Sequence, residues 1–86
     1  MSKLEKALTR IASIPKDYTY EEAKALLKQL GFEEIQKGKT SGSRVKFFRK
    51  TDNDVILLHK PHPQKEMKPR VIRQLKVHLQ QIGELK

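Results

Sequence analysis

The sequence predicts an α+β fold in which a three-stranded antiparallel sheet packs against helices, and three observations carry this prediction. A leucine stripe at helical spacing follows a capping pattern at Thr19. Two strand-like runs flank the turn sequence 51–54, and a second amphipathic run lies between Pro69 and Gly83. A meander of three strands has one face to cover, and two amphipathic helices can cover it.

Residues 2–13 predict an additional short helix at the N-terminus. Ser2 and Glu5 have the spacing of a capping box, and Pro15 ends the helical pattern. Its apolar side consists of Leu4, Ala7, Leu8 and Ile11. A helix this short is marginal alone, so it must dock, either as an appendage to the core or as an interface for a partner.

The second helix begins at Thr19, which forms a capping-box pattern with Glu22. Gly31 is expected to adopt the left-handed conformation that ends this helix, and Phe32 is expected to fold back onto the helix end. The stripe that identifies the helix as a core element consists of Ala23, Leu26, Leu27 and Leu30.

Three strands follow, over residues 33–37, 43–49 and 55–59. In the second strand Val45 and Phe47 are predicted to point one way, with Arg44, Lys46 and Phe48 on the other face. The third strand is apolar on both faces, which predicts a central position in the sheet. The turn-rich segment 37–43 between the first two strands lacks P-loop spacing and is a candidate for contact with a nucleic-acid backbone.

The last helix starts at Lys68-Pro69 and stops at Gly83. His78 falls at the edge of its apolar arc, which is typical of a half-buried structural histidine. After the extra N-terminal helix, the element order α-β-β-β-α is the arrangement of double-stranded-RNA-binding domains, which read RNA by shape.

Composition limits the function. The chain has 86 residues, no cysteine, and 19 Lys plus Arg against 10 Asp plus Glu, for a net charge of +9. That length predicts a single domain, and the absence of thiols and of a long apolar run predicts a cytoplasmic protein with no membrane segment. The excess positive charge favours a polyanionic partner such as nucleic acid, although a basic face for solubility or for an acidic protein is the alternative.

The segment 58–63, Leu-His-Lys-Pro-His-Pro, is the candidate for chemistry. Its two prolines hold His59 and His62 on a stiff, extended connector. Imidazoles suit both proton transfers of RNA cleavage, and Arg44 can stabilise the phosphate charge. The alternatives are a simple linker with solvated histidines, or a metal pair, which the positive surroundings disfavour. We therefore expect no metal or cofactor.

The candidate catalytic residues are thus His59, His62 and Arg44. The candidate RNA-binding residues are Lys39, Ser43, Lys46, Arg49, Lys60, Lys65, Lys68 and Arg73.

Three short motifs in order resemble the HicA family of bacterial toxins: residues 27–32 (Leu-Lys-Gln-Leu-Gly-Phe), residues 40–47 (Thr-Ser-Gly-Ser-Arg-Val-Lys-Phe) and residues 58–63, followed by Met67-Lys68 before a helix. The resemblance runs from about Thr19 to Gly83. It implies a double-stranded-RNA-binding-domain-like fold and a type II toxin that cleaves mRNA and is inhibited by a HicB-type antitoxin. On this resemblance, the single compact domain consists of an N-terminal helix and linker, residues 1–18, followed by a HicA-like part, residues 19–86.

The chain departs from the family pattern at one position. The family has Gly-Ser-His on the second strand, where the histidine is the expected catalytic residue, and this chain has Arg44 there. Two interpretations follow: His59 or His62 carries the proton transfer, or the chain binds RNA without cutting it. The N-terminal helix exceeds the family form and would widen the antitoxin contact or support a homodimer.

Overall fold

The structure, a computed structural model, describes residues 2–35, 44–61 and 65–85. Its elements follow the order α-α-β-β-β-α, which confirms the predicted α+β fold. The helices are α1 (Lys3–Ala12), α2 (Tyr20–Gln29) and α3 (Pro69–Gln81), and the strands are β1 (Glu33–Ile35), β2 (Arg44–Arg49) and β3 (Asp54–His59). None of the described helices is both long and apolar enough to cross a bilayer.

The three strands form one antiparallel sheet in the order β1-β2-β3. The central strand is therefore β2, and the prediction that β3 is central was wrong. The apolar residues on the second face of β3 do not pack under another layer: Val55 is 39% exposed and Leu57 is 59% exposed. Apolar residues on both faces of a strand are thus compatible with an edge position when one face of the sheet stays open.

The helix ends follow the local signals in the sequence. Thr19 and Glu22 form a complete capping box at the start of α2. After α2, Gly31 has φ +97°, and Phe32 N–H donates to the Leu27 carbonyl at 2.9 Å. Gly83 plays the same part after α3, with φ +83°. Positive φ is costly for residues with a Cβ, so glycine at these two positions allows each chain reversal.

The helices and the buried face of the sheet share one core, to which α1 contributes where it packs against α2 and α3. Ile11 of α1 is fully buried with residues of α2, β2 and α3. Arg10 fastens α1 to α2 through a bidentate pair with Glu22, at 3.0 and 3.2 Å. The Lys76 ammonium of α3 donates to the Ala12 carbonyl at 2.9 Å and satisfies a free acceptor at the end of α1.

Arg49, at the end of β2, is buried (7% exposed) and joins three parts of the fold. Its guanidinium donates to the Leu30 carbonyl at the end of α2 and to the Asp52 carboxylate in the β2–β3 turn, and pairs with Glu84 after α3 at 3.3 Å. The guanidinium also lies 4.8 Å from the centre of the Phe32 ring. The hydrogen bond from Arg49 lowers the pKa of Asp52 below its usual range.

We expect Arg49→Lys to lower the free energy of unfolding by about 3 kcal/mol, because an ammonium cannot replace the planar fork and leaves buried acceptors unpaired. Urea unfolding at pH 7 measures this change. The matched control is Arg44→Lys, the same substitution at an exposed position on the same strand, which should change stability by less than about 0.5 kcal/mol. Equal effects of the two variants would contradict the structural role of Arg49.

Tyr18 generates a second prediction, because its buried hydroxyl has no hydrogen-bond partner among the described residues. Burial raises its pKa to about 12, against an ordinary value of 10. The Tyr18 hydroxyl therefore loses its proton at a lower pH in the unfolded chain than in the folded protein. The free energy of unfolding must then fall as the pH rises from 10 to 12.

The variant Tyr18→Phe removes both the unpaired buried hydroxyl and its titration. At pH 7 it should be neutral or stabilising by about 1 kcal/mol, because it deletes an unsatisfied buried group. Between pH 10 and 12 its free energy of unfolding should fall by about 2 kcal/mol less than that of the wild type. Urea midpoints at pH 7, 9 and 11.5 test this, and parallel pH curves for the two proteins would refute it.

Candidate nucleic-acid interface

The face of the sheet opposite the helices is open, and the strand register decides which side chains share it. The exposed residues of β2 alternate with buried ones, as predicted for Arg44 and Lys46. In the pairing with β3, Arg44 lies directly opposite His59, and Lys46 lies opposite Leu57. Opposed residues of an antiparallel pair have Cβ atoms about 5 Å apart on the same face. The guanidinium of Arg44 and the imidazole of His59 are thus neighbours by register.

The charges on this open face are not neutralised by the described parts of the chain. Arg44, Lys46 and His59 are exposed, and among the described residues none forms a hydrogen bond or ion pair with their side chains. This contrasts with Arg10 and Arg49, whose guanidinium groups are held by carboxylates. Unpaired cations clustered on one surface attract phosphates, and the side chains stay free to bind them.

Apolar side chains lie beside these cations. Phe48 is half-buried on the open face, between Glu33 of β1 and Val55 of β3 in the register. Leu57 is exposed in the next row, opposite Lys46. An aromatic ring next to cations on a sheet provides a stacking surface for a base beside contacts for phosphates. We call the set Arg44, Lys46, Phe48, Leu57 and His59 the open-face patch.

After β3 the chain returns from the sheet to the helices. The Lys60 ammonium lies 5.9 Å from the centre of the Tyr20 ring at the start of α2. Tyr20 N–H donates to the Lys65 carbonyl at 3.2 Å, and Met67 N–H donates to the Tyr18 carbonyl at 2.7 Å. These bonds pin the backbone beside α2, where the side chains of Lys65 and Lys68 are exposed.

The remaining predicted residues are not on the open-face patch or lie outside the described residues. Arg73 is exposed on α3, in the helix layer on the other side of the sheet. Arg49 is buried and held by Asp52 and Glu84, so its guanidinium is not available at the surface; the alternation of β2 turns it toward the helices. Lys39, Ser43 and His62, and with them the whole segment 37–43, lie outside the described residues.

Sequence reasoning missed two features of the surface. It took the apolar residues on both faces of β3 as evidence for a central strand, whereas Val55 and Leu57 are exposed on the open face, where the register with β2 places them. It also gave no partner for His78, which is half-buried as predicted and lies 2.7 Å from the Asp54 carboxylate at the start of β3. Nothing in the sequence links these two positions. In the described part of the chain, no three His, Asp or Glu side chains form a metal-binding group.

These features describe a small α+β domain that presents an open, cationic sheet face. A family model, described as HicA toxin of bacterial toxin-antitoxin, matches residues 20–84. The chain therefore belongs to the HicA family of toxins of bacterial toxin–antitoxin systems. The match begins at Tyr20 and leaves out α1. Comparisons with curated proteins and with solved structures give no significant match.

If the open-face patch contacts RNA phosphates, then Arg44→Gln and Lys46→Gln should each reduce the slope of log affinity against log salt by about one unit. Fluorescence anisotropy with a labelled RNA between 50 and 300 mM salt measures the slope. Lys28→Gln, which removes an exposed cation from α2, is the matched control and should leave the slope unchanged. Equal losses from all three variants would show that charge alone, not the patch, sets the affinity.

Proposed function

We propose that this protein is the toxin of a type II toxin–antitoxin pair that binds mRNA on the open-face patch and cleaves it without a metal ion. The observation that carries the proposal is the register of β2 and β3, which sets Arg44 opposite His59 on an exposed, cationic surface. Membership of the HicA family supports the same function. The substrate and the partner place this activity in the cytoplasm.

The chemistry uses the RNA's own nucleophile. A base takes the proton of a ribose 2′-OH, the 2′-oxygen attacks the adjacent phosphorus, and an acid protonates the departing 5′-oxygen. The products are a 2′,3′-cyclic phosphate and a 5′-hydroxyl end. His59 and His62 are the proposed base and acid, and the Arg44 guanidinium stabilises the negative charge that develops on the phosphate.

Arg44 stands where the family pattern has a histidine, and its neighbour across the strands gives this substitution a physical meaning. A guanidinium cannot exchange protons near neutral pH, but it binds phosphate oxygens with a planar fork. His59, directly opposite, supplies the imidazole that this position lacks. We therefore propose that the proton transfer has moved across the sheet from β2 to β3.

A HicB-type antitoxin is the proposed inhibitory partner. An inhibitor must cover the open-face patch, because the cations and the imidazole of the proposed site lie there. Its surface should be acidic at this contact, since the chain carries a net charge of +9.

A second candidate function is RNA binding without cleavage, and Arg44 is the observation that favours it. Purified protein that retards RNA in a gel but never shortens it between pH 5 and 8 would establish this alternative. The open-face patch would then serve binding alone.

The test of cleavage is the variant His59→Gln, which keeps a polar side chain but cannot transfer a proton near pH 7. We expect RNA cleavage to fall at least about 100-fold while RNA affinity changes less than threefold. Growth arrest after induction should disappear in parallel. His78→Gln is the matched control on α3 and should retain cleavage and toxicity.

Product ends and chelation complete this test. New 5′ ends should accept phosphate from a polynucleotide kinase without prior dephosphorylation, and EDTA should leave the rate unchanged. If the double variant His59→Gln/His62→Gln kept full cleavage and toxicity, the assignment of the site to these histidines would be wrong.

A further inference from the structure

The outer edge of β3 is an unprotected sheet edge. Within the described residues β3 pairs with β2 alone, so the backbone N–H and C=O groups on its other side have no strand partner. Sheet edges are normally protected by proline, charge, a bulge or short length. The interior of β3, Val55-Ile56-Leu57-Leu58, has none of these, and the strand extends over six residues, or about 20 Å.

A groove runs beside this edge and has room for apolar side chains of an added strand. Its volume is about 200 Å³, with β3 as one wall and α3 as the other. The α3 wall consists of Val71, Gln74, Leu75 and His78. An apolar wall with polar groups at its rim suits the alternate side chains of an extended peptide, while the strand edge supplies regular hydrogen bonds.

The charges near the groove define the occupant. Gln74 and His78 also line an adjoining hollow of about 380 Å³, which continues along α3 to Arg70 and Arg73. The hollow contains Val77, which is 44% exposed. The nearest acid, Asp54, is already engaged by His78. The surroundings of the free edge are thus apolar and cationic.

A second copy of the chain is a poor occupant. Two chains that pair edge to edge each carry +9, and their cationic groups would be brought together. A strand rich in carboxylates has the opposite charge and gains from both surfaces. Charge complementarity therefore favours a different, acidic chain.

We propose that the edge of β3 binds an extended acidic segment of a partner protein, which adds a fourth strand to the sheet. The apolar residues of this segment enter the groove against α3. Its carboxylates alternate with them and therefore lie on the other face of the added strand, toward the cations of the open-face patch. Only the identification of the natural partner as the antitoxin rests on the proposed function; the docking of an acidic strand does not depend on RNA cleavage.

The test uses a synthetic nine-residue peptide of alternating Glu and Val with capped ends, and a control peptide with proline at the central valine. Hydrogen exchange of the intact protein is followed by NMR. The first peptide should slow exchange of the β3 amides that point away from β2 at least tenfold, without effect on β1. The proline peptide should protect much less, because it lacks a central N–H donor.

Charge-reversal variants separate a specific groove from general attraction. Arg44→Glu/Lys46→Glu reverses the charges on the face that receives the carboxylates and should weaken binding of the first peptide at least tenfold at 50 mM salt. Lys16→Glu/Lys28→Glu changes the net charge equally at exposed positions away from the groove and should weaken binding less than threefold.

The proposal would be overturned by equal losses in the two double variants, by protection at β1 rather than β3, or by no peptide binding. A concentration-dependent dimer that protects β3 in sedimentation and exchange experiments would show that a second copy occupies the edge instead. If His59→Gln loses RNA cleavage but still binds the peptide, the strand-docking proposal holds. If the wild type binds the peptide but does not cleave RNA, only the proposed function is contradicted.

Discussion

The arrangement of the molecule depends on the two-sided alternation of β2, the central strand. Val45 and Phe47 turn toward the helices and are buried, whereas Arg44 and Lys46 turn away and are exposed. A shift of one residue would bury two cations and expose two core side chains, at a cost of several kcal/mol per buried charge. This penalty determines the register of the whole sheet. Since β1 and β3 both pair with β2, it also determines which of their residues share the open face.

The same alternation gives the two arginines of β2 different roles. Arg44 begins the strand on the open face, where no described carboxylate neutralises it. Arg49 ends the strand on the helix face and joins α2, the β2–β3 turn and the segment after α3. The two arginines are the first and last of the six residues of β2, so the alternation of the strand places their side chains on opposite faces. One short strand therefore contains one arginine that is exposed on the surface and one that stabilises the core.

Two parts of the described surface have groups that could bind another molecule. Among residues 2–35, 44–61 and 65–85, the cationic side chains of the open-face patch have no partner, and the outer backbone groups of β3 have no neighbouring strand. The first part fits a polyanion and the second fits an extended chain. In a toxin of this family these would be a substrate and an inhibitor, and their adjacency along β3 gives an inhibitor that docks on the edge a direct route to the patch.

The sequence by itself determined the elements and much of their polarity, because these depend on local interactions. Each of these signals lies within one helical turn or one strand. They are the capping residue Thr19, the glycines after α2 and α3, and the spacing of the apolar residues. The family followed from short motifs at fixed spacing. The sequence also predicted that Arg44 and Lys46 share a face, since that needs only the alternation of one strand.

Only the tertiary structure decided how distant segments meet. The strand pairing placed β3 at the edge, although apolar residues on both faces are typical of a central strand. Its apolar residues on the open face, Val55 and Leu57, remain exposed. Arg49 was predicted to bind RNA from its charge, yet its partners Leu30 and Glu84 are far away in the chain, and their approach depends on the packing of α2 and α3. The pairing of Arg44 with His59 likewise required the register across the turn, which is set by burial on both strands together and not by either strand alone.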